Sequence, residues 1–329
     1  SVQSVKEAKK VDDFTVDLIL KGPSPVVLRE ISEARIMNKA WSEKNNATKA
    51  QDYKAKEESF ASRNANGTGP FILEGWQPDT KTTLKKNAAW WDKPKGNIDN
   101  LVFTPIKAAA TRSAALISGQ VDLVVDPPVQ DLERIKRDPN ITVIEGPENR
   151  TIFFGFDQFR DELMGSDVKG KNPLKDKRVR QALYQAVDMA AIERTVMRGL
   201  GKPTGTMIAP MVNGWTKELG ARASKFDLAA SKKLLADAGY PNGFELALDC
   251  PNDRYVNDEA ICQAITTMWT KAGVKTKLQT NPMSIHSAKI QRFEVSAYML
   301  GWGVATFDAL YSIDSLISTV DAKGGAAGN

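Results

Sequence analysis

Apolar and polar positions alternate with a period of two in several short runs and with a helical period in several longer ones. "FTVDLIL" (14–20) alternates as a strand with one buried face does. "FILEGW" (71–76) and "TTLKKN" (82–87) flank the turn "QPDTK", so residues 66–91 predict a β-hairpin entered through Asn66-Gly67 and Gly69-Pro70. "NLVFTPI" (100–106), "VDLVVDPP" (121–128) and "ITVIEG" (141–146) read as further strands. Residues 108–120 predict a helix closed by Gly119, 128–138 a short helix, and 49–62 a polar helix.

The pattern changes near residue 147. Residues 175–201 predict one long amphipathic helix, with Leu183, Val187, Ala190, Ala191 and Thr195 on one face, Asp176 to cap it and Gly199 to end it. Residues 226–240 predict a second helix, with Asp227 as N-cap and Gly239 at its end. A regular series follows: strand 244–249, helix 257–273, strand 274–280, helix 283–292, strand 295–300. This β-α-β-α-β order predicts parallel strands joined by right-handed crossovers.

Parallel neighbours present their carboxyl ends on one side. The loops at 250–257 and 301–308 therefore share an edge, and ligands of open α/β sheets bind at that edge. The edge brings in Trp302, an aromatic wall or a core side chain with its N–H bonded to backbone. Gly301 and Gly303 beside it permit close backbone approach. Arg254, with Asn252 and Tyr255 on the neighbouring loop, is placed to clamp a carboxylate or phosphate, or else to pair with Asp253 or Asp258. Asn257 or Asp258 is expected to cap the following helix. Asp157 ends the strand in "FFGFDQ" and is expected either to face the crevice or to start a turn, and Asp308 is expected to line the site or pin its own loop. Trp76, Trp90 and Trp91 are expected to pack the hairpin.

Length and composition narrow the chemistry. At about 100–200 residues per domain, 329 residues predict two domains, placed at 1–146 and 147–329. Hydrophobic residues are 42% and charged residues 26%, which fits a globular chain. No apolar run is long enough to span a bilayer, and "SVQSVKEAKKVDDF" carries no signal-peptide core. The polar tail 318–329 closes no element, so the chain is expected to be incomplete. Net charge is +5, with the densest cluster at 169–181. That cluster lacks any nucleic-acid module signature and reads as a wet helix entry.

There is one histidine, His286, read as a surface or satisfied helix side chain. No zinc cage or serine triad is possible without it, and no phosphate-loop motif occurs; no cofactor is expected. Cys250 ends a strand and Cys262 lies about one turn into the next helix, so the two are close in a βα unit. A disulfide is expected if their Cα atoms approach within about 7 Å; the alternative is two buried thiols. The bridge would place the protein in an oxidising compartment.

Five stretches in order carry a resemblance: "NGTGPFILEGWQPDTKTTLKKNAAWW", "ATRSAALISGQVDLV", "NPLKDKRVRQALYQAVDMAAIERTVMRG", "FDLAASKKLLADAGYPNGF" and "LGWGVATFD". From about residue 10 to 310 the chain resembles the extracytoplasmic solute-binding proteins of ABC importers, in the peptide/nickel class (family 5). The resemblance implies an α/β, two-lobe clamshell of mixed sheets with flanking helices. It implies that 1–146 is part of an incomplete lobe one and 147–329 most of lobe two, truncated at both ends. It implies a periplasmic monomer without catalysis, capturing an oligopeptide or other polar organic solute between two lobes and delivering it to a membrane permease. In peptide-binding members an aspartate three residues after the strand-end tryptophan holds the peptide ammonium; that position is Ala305 here. With one histidine, nickel ligation by several imidazoles is not expected. Two other readings stand beside this one. A carboxylate-dependent hydrolase would need Asp157 and Asp308 about 5–9 Å apart. A nucleic-acid binder would show steep salt dependence.

Overall fold

The computed structural model describes residues 4–32, 34–49, 58–221 and 225–318. The chain is α/β and divides into two compact units, Ser1–Thr111 and Arg112–Asn329. The division falls inside the helix Ala109–Ile117, so the boundary expected at 146 lies within the second unit.

The first unit is built from antiparallel ladders. Strand β1 (Val5–Lys10) pairs with β2 (Val16–Leu20). The sequence pattern of β1, "VKEAKK", hides it, because five of its six residues are exposed. The predicted hairpin forms: β3 (Phe71–Gln77) pairs with β4 (Lys81–Lys86), and β5 (Asn100–Phe103) adds to the far side of β4. Its turn closes through the Thr80 amide donating to the Gln77 carbonyl at 3.1 Å, with Asp79 left-handed. Most of the helix expected over 49–62 lies outside the described residues; within it, Ser59 caps one turn at Phe60–Arg63.

Two expected strands do not form. Residues 121–128 and 141–146 run as irregular chain with no ladder partner among the described residues, and Ile144 is 91% exposed. A strand is stable only when its N–H and C=O groups meet a neighbour. Local pattern supplies the apolar side chains but not that neighbour, and Pro127 and Pro128 lack an N–H altogether.

The second unit holds a four-stranded sheet in the order β6-β9-β7-β8. Here β6 is Thr151–Phe156, β7 Phe244–Pro251, β8 Val274–Asn281 and β9 Ala297–Trp302. Strands β7, β8 and β9 are parallel, as predicted, and β6 is antiparallel to β9. The crossovers are the helices Asp258–Ala272 and Met283–Gln291. The buried core gathers Leu246 and Leu248 of β7, Met299 of β9, Ile265 and Trp269 of the first crossover helix, and Val179 and Leu183 of the helix Lys177–Gln185. Each such large apolar side chain contributes about 1.5–3 kcal/mol when buried. Trp269 also donates its indole N–H to the Leu183 carbonyl at 3.0 Å, which ties that helix to the crossover.

The long helix expected over 175–201 is broken. It stops at Gln185 and restarts after Asp188, whose carboxylate accepts from the Ala191 amide; a wide turn at Ile192–Val196 follows. An aspartate that bonds backbone amides favours a new helix start over helix continuation. The ends behave as expected: Asp176 caps the Arg178 amide, and Gly199 is left-handed. The helix Leu228–Asp237 has Asp227 as N-cap and left-handed Gly239 beyond its end. Half of the basic cluster is paired locally, Lys175 with Asp161 and Arg178 with Asp176, each at 2.6 Å, and Lys169 with Glu162 at 3.8 Å.

The disulfide is present: Cys250, near the end of β7, is bonded to Cys262, with Cα atoms 6.6 Å apart. His286 takes the second of its two expected places, a helix side chain satisfied through Nε2. It is fully buried, not at the surface, because the inner face of its short helix packs on the sheet. A carbonyl only accepts, so Nε2–H donates to Met299 O at 2.8 Å, while Nδ1 is buried without a partner. Burial is the main influence on its pKa and pushes it below the usual value; the Met299 bond and Asp249 pull the other way.

Two outcomes are expected. Below about pH 6.5 the unfolded histidine takes up a proton that the folded one refuses. Stability contributed by neutral His286 is therefore present above that pH and lost as pH falls through it. Urea midpoints between pH 7.5 and 5.5 should fall less steeply in His286→Gln than in the wild type. Replacing both cysteines by alanine should cost about 3 kcal/mol, the chain-entropy value for a loop of this size, read by urea unfolding.

Candidate functional site

The site is set by strand direction. Leu248 pairs with Ala297 and Asp249 with Tyr298, so β7 and β9 end at the same edge. Because β6 runs the other way, with Thr151 opposite Trp302, its amino end arrives there too. Three loops meet at this edge: 147–150, 252–257 and 303–308.

The loop after β7 is held by carboxylates. Asp258, 4% exposed, accepts the Arg254 amide at 2.9 Å and the Tyr255 amide at 3.0 Å, both on Oδ2. Asp253 accepts the Met283 amide at 2.7 Å. Asn257 does not cap its helix; it is left-handed, and its Nδ2 donates to Val196 O at 2.8 Å. Both expected carboxylate partners of Arg254 are thus engaged with backbone. Among the described residues its exposed guanidinium has no ion pair and lies 5.1 Å over the Tyr255 ring. The Arg150 guanidinium sits 5.7 Å from the same ring and pairs with Glu148. Asn252 is exposed on this loop, its amide donating to Asn281 O at 3.1 Å.

Tyr255 is seated on β9, its hydroxyl 3.4 Å from the Gly301 carbonyl. Gly301 is required by close approach: a Cβ there would lie 2.7 Å from Tyr255 Cε1 and 2.8 Å from Ile152 Cδ1. At Gly303 a Cβ would lie 2.9 Å from the Asn149 carbonyl oxygen.

Trp302 stacks on Tyr311, with centroids 5.4 Å apart and planes 24° apart. Together they pack against a small cluster of Ile208, Ala209, Val212 and Val304. The backbone partner considered for its indole N–H is not found; Nε1 is buried and unpartnered. Asp308 pins its own loop, accepting the Leu310 amide at 3.0 Å and Asn213 Nδ2 at 2.7 Å. Ala305 lies half-buried between these groups.

Asp157 is not at this edge. It follows Phe156, which pairs with Ala297 at the opposite end of β9 from Trp302. Five strand steps separate those ends, about 17 Å. Its carboxylate starts a turn, accepting the Phe159 amide at 2.9 Å and the Arg160 guanidinium at 2.8 Å. Asp157 and Asp308 therefore cannot form the close carboxylate pair that the hydrolase reading needs. In the first unit, Trp90 and Trp91 meet edge-on at 5.8 Å, while Trp76 lies under the Arg63 guanidinium.

Asn149, Arg150 and Tyr311 belong to the edge and were missed from the sequence. Asn149 Nδ2 donates to Val304 O at 2.8 Å. The signal that would have found the first two is the antiparallel pairing of β6, which brings "ENRT" rather than "FDQF" to the crevice.

Gly301→Ala should force Tyr255 off β9 and cost about 1–3 kcal/mol, as overpacking does. A thermal melt of the purified variant checks it.

The profile described as "Bacterial extracellular solute-binding proteins, family 5 Middle" matches residues 1–324. Heme-binding protein A of Haemophilus influenzae is 29% identical over 304 residues, covering 91% of this chain and 52% of the relative. The dipeptide-binding protein of Escherichia coli is 29% identical over 303 residues, covering 91% and 53%. Among solved structures, the periplasmic binding protein AgaA of A. tumefaciens R10, in complex with agropinic acid, superposes with a TM-score of 0.73 at 26% identity, covering 99% of this chain and 62% of that one. The chain spans about half the length of the curated relatives it matches.

Proposed function

The chain belongs to the bacterial extracellular solute-binding proteins of family 5, and from that premise we propose that it is part of a receptor for an ABC importer. The receptor captures a peptide or other polar organic solute and hands it to a membrane permease. The unit Arg112–Asn329 carries the recognition edge. The observation that carries the reading is that edge itself. An uncommitted guanidinium at Arg254 and an aromatic pair at Trp302 and Tyr311 stand on loops braced by buried or half-buried carboxylates. Such an arrangement orients and holds a small molecule, as ligand sites with a few convergent polar groups do.

The relatives named above are binding proteins, and Asp157 lies at the opposite end of β9 from the loop that carries Asp308. The disulfide suits an extracytoplasmic compartment. Among the described residues no helix is long and apolar enough to cross a membrane.

Native mass spectrometry of the protein purified from its own host tests the proposal. One retained solute per chain is expected, released on mild denaturation. No mass shift, together with no heat uptake from peptide, opine and saccharide pools in calorimetry, would remove it.

A further inference from the structure

The loop after β7 is tied down at several points. Its own helix holds it through Asp258, which accepts the Arg254 and Tyr255 amides, and through the Cys250–Cys262 bond. Strand β8 holds it through the Asn252 amide on Asn281 O, and the next crossover helix through Asp253 on the Met283 amide. One tie leaves the sheet and its crossovers altogether. Asn257 Nδ2 donates at 2.8 Å to the carbonyl of Val196, 61 positions earlier.

Both ends of that bond depart from the usual helix terminus. Asn257 stands at an N-cap position, where backbone is ordinarily extended. Here its φ is 54° and its side chain makes no cap. Left-handed backbone disfavours most side chains, and asparagine tolerates it better than any but glycine. Val196 closes the wide turn Ile192–Val196. In a continuing α-helix its carbonyl would accept from Leu200, four residues on. Instead the Leu200 amide donates to Met197 O and the Gly199 amide to Glu193 O. Arg198 and Gly199 are both left-handed and turn the chain away. A carbonyl at a helix end needs a partner from elsewhere, and Asn257 supplies it. The helix break that periodicity does not predict thus ends in an acceptor that the recognition loop uses.

We infer that Asn257 is a positioning residue of the recognition loop, and that the Val196 carbonyl is the anchor that sets where Arg254 and Tyr255 stand. Asparagine joins the two properties this place needs, tolerance of left-handed backbone and a donor that crosses to the anchor. Glycine has only the first. Aspartate keeps the shape but turns an oxygen toward an oxygen, with no proton to share. This deepens the receptor reading above and rests on it.

Asn257→Gly and Asn257→Asp test it, measured without denaturant where circular dichroism shows both variants folded. The readout is a dilution series followed by native mass spectrometry of the host solute that the wild type retains. Half-release should come at about fivefold higher protein concentration in Asn257→Gly, the scale of one lost hydrogen bond, and at least as high in Asn257→Asp. Val179→Ala, a core change outside the loop, should lower the urea midpoint and keep the wild-type release point, because a folded receptor binds alike whatever its margin of stability. Unchanged release in either Asn257 variant, or an equal shift in Val179→Ala, overturns the assignment and leaves the receptor reading intact. A wild type that retains no solute removes the receptor reading, and the positioning role with it.

Discussion

The recognition edge depends on the two ladders of β9. It lies parallel to β7 over the pairs Leu248–Ala297 and Asp249–Tyr298, and antiparallel to β6 along its whole length. A strand's direction decides which loops meet. These two pairings gather the Arg254 loop, the Trp302 loop and the Asn149–Arg150 approach at one edge, and send Asp157 to the other. The strand that fixes this is itself fixed from below. Met299 is buried, its carbonyl accepts from His286, and its sulfur lies 3.6 Å from Cys262 Sγ.

The electrostatic character of the edge follows from structural duty. Loops that leave a sheet expose amides with no ladder partner, and carboxylates are strong acceptors for them. Asp253, Asp258 and Asp308 each serve this purpose. The carboxylates nearest the crevice thus brace it, and Arg254 stands beside them without an ion pair among the described residues. A receptor gains from such bracing, because a recognition group already held in place loses less freedom on binding.

What the sequence made legible was local. The β-α-β-α-β series, the 71–87 hairpin and the caps at Asp176 and Asp227 follow from periodicity and short-range hydrogen bonding, and all are present. The cystine followed from the short path between a strand end and the next helix turn. What it hid was non-local. Nothing within "TIFFGF" states that β6 runs against β9, so Asp157 was assigned two possible places and Arg150 none. Nothing within "VDLVVDPP" or "ITVIEG" supplies a partner strand. The burial of His286 depends on which helix face meets the sheet, and "MSIHSAKIQ" has too little amphipathic contrast to show it.

The central claim is that solute is met at the carboxyl edge of β7 and β9. A crystal structure of the protein with the solute retained from its host tests it most directly. Ligand density is expected in contact with the Arg254 guanidinium and the Trp302 indole. Density touching neither residue, or seated at the Asp157 edge, would contradict it.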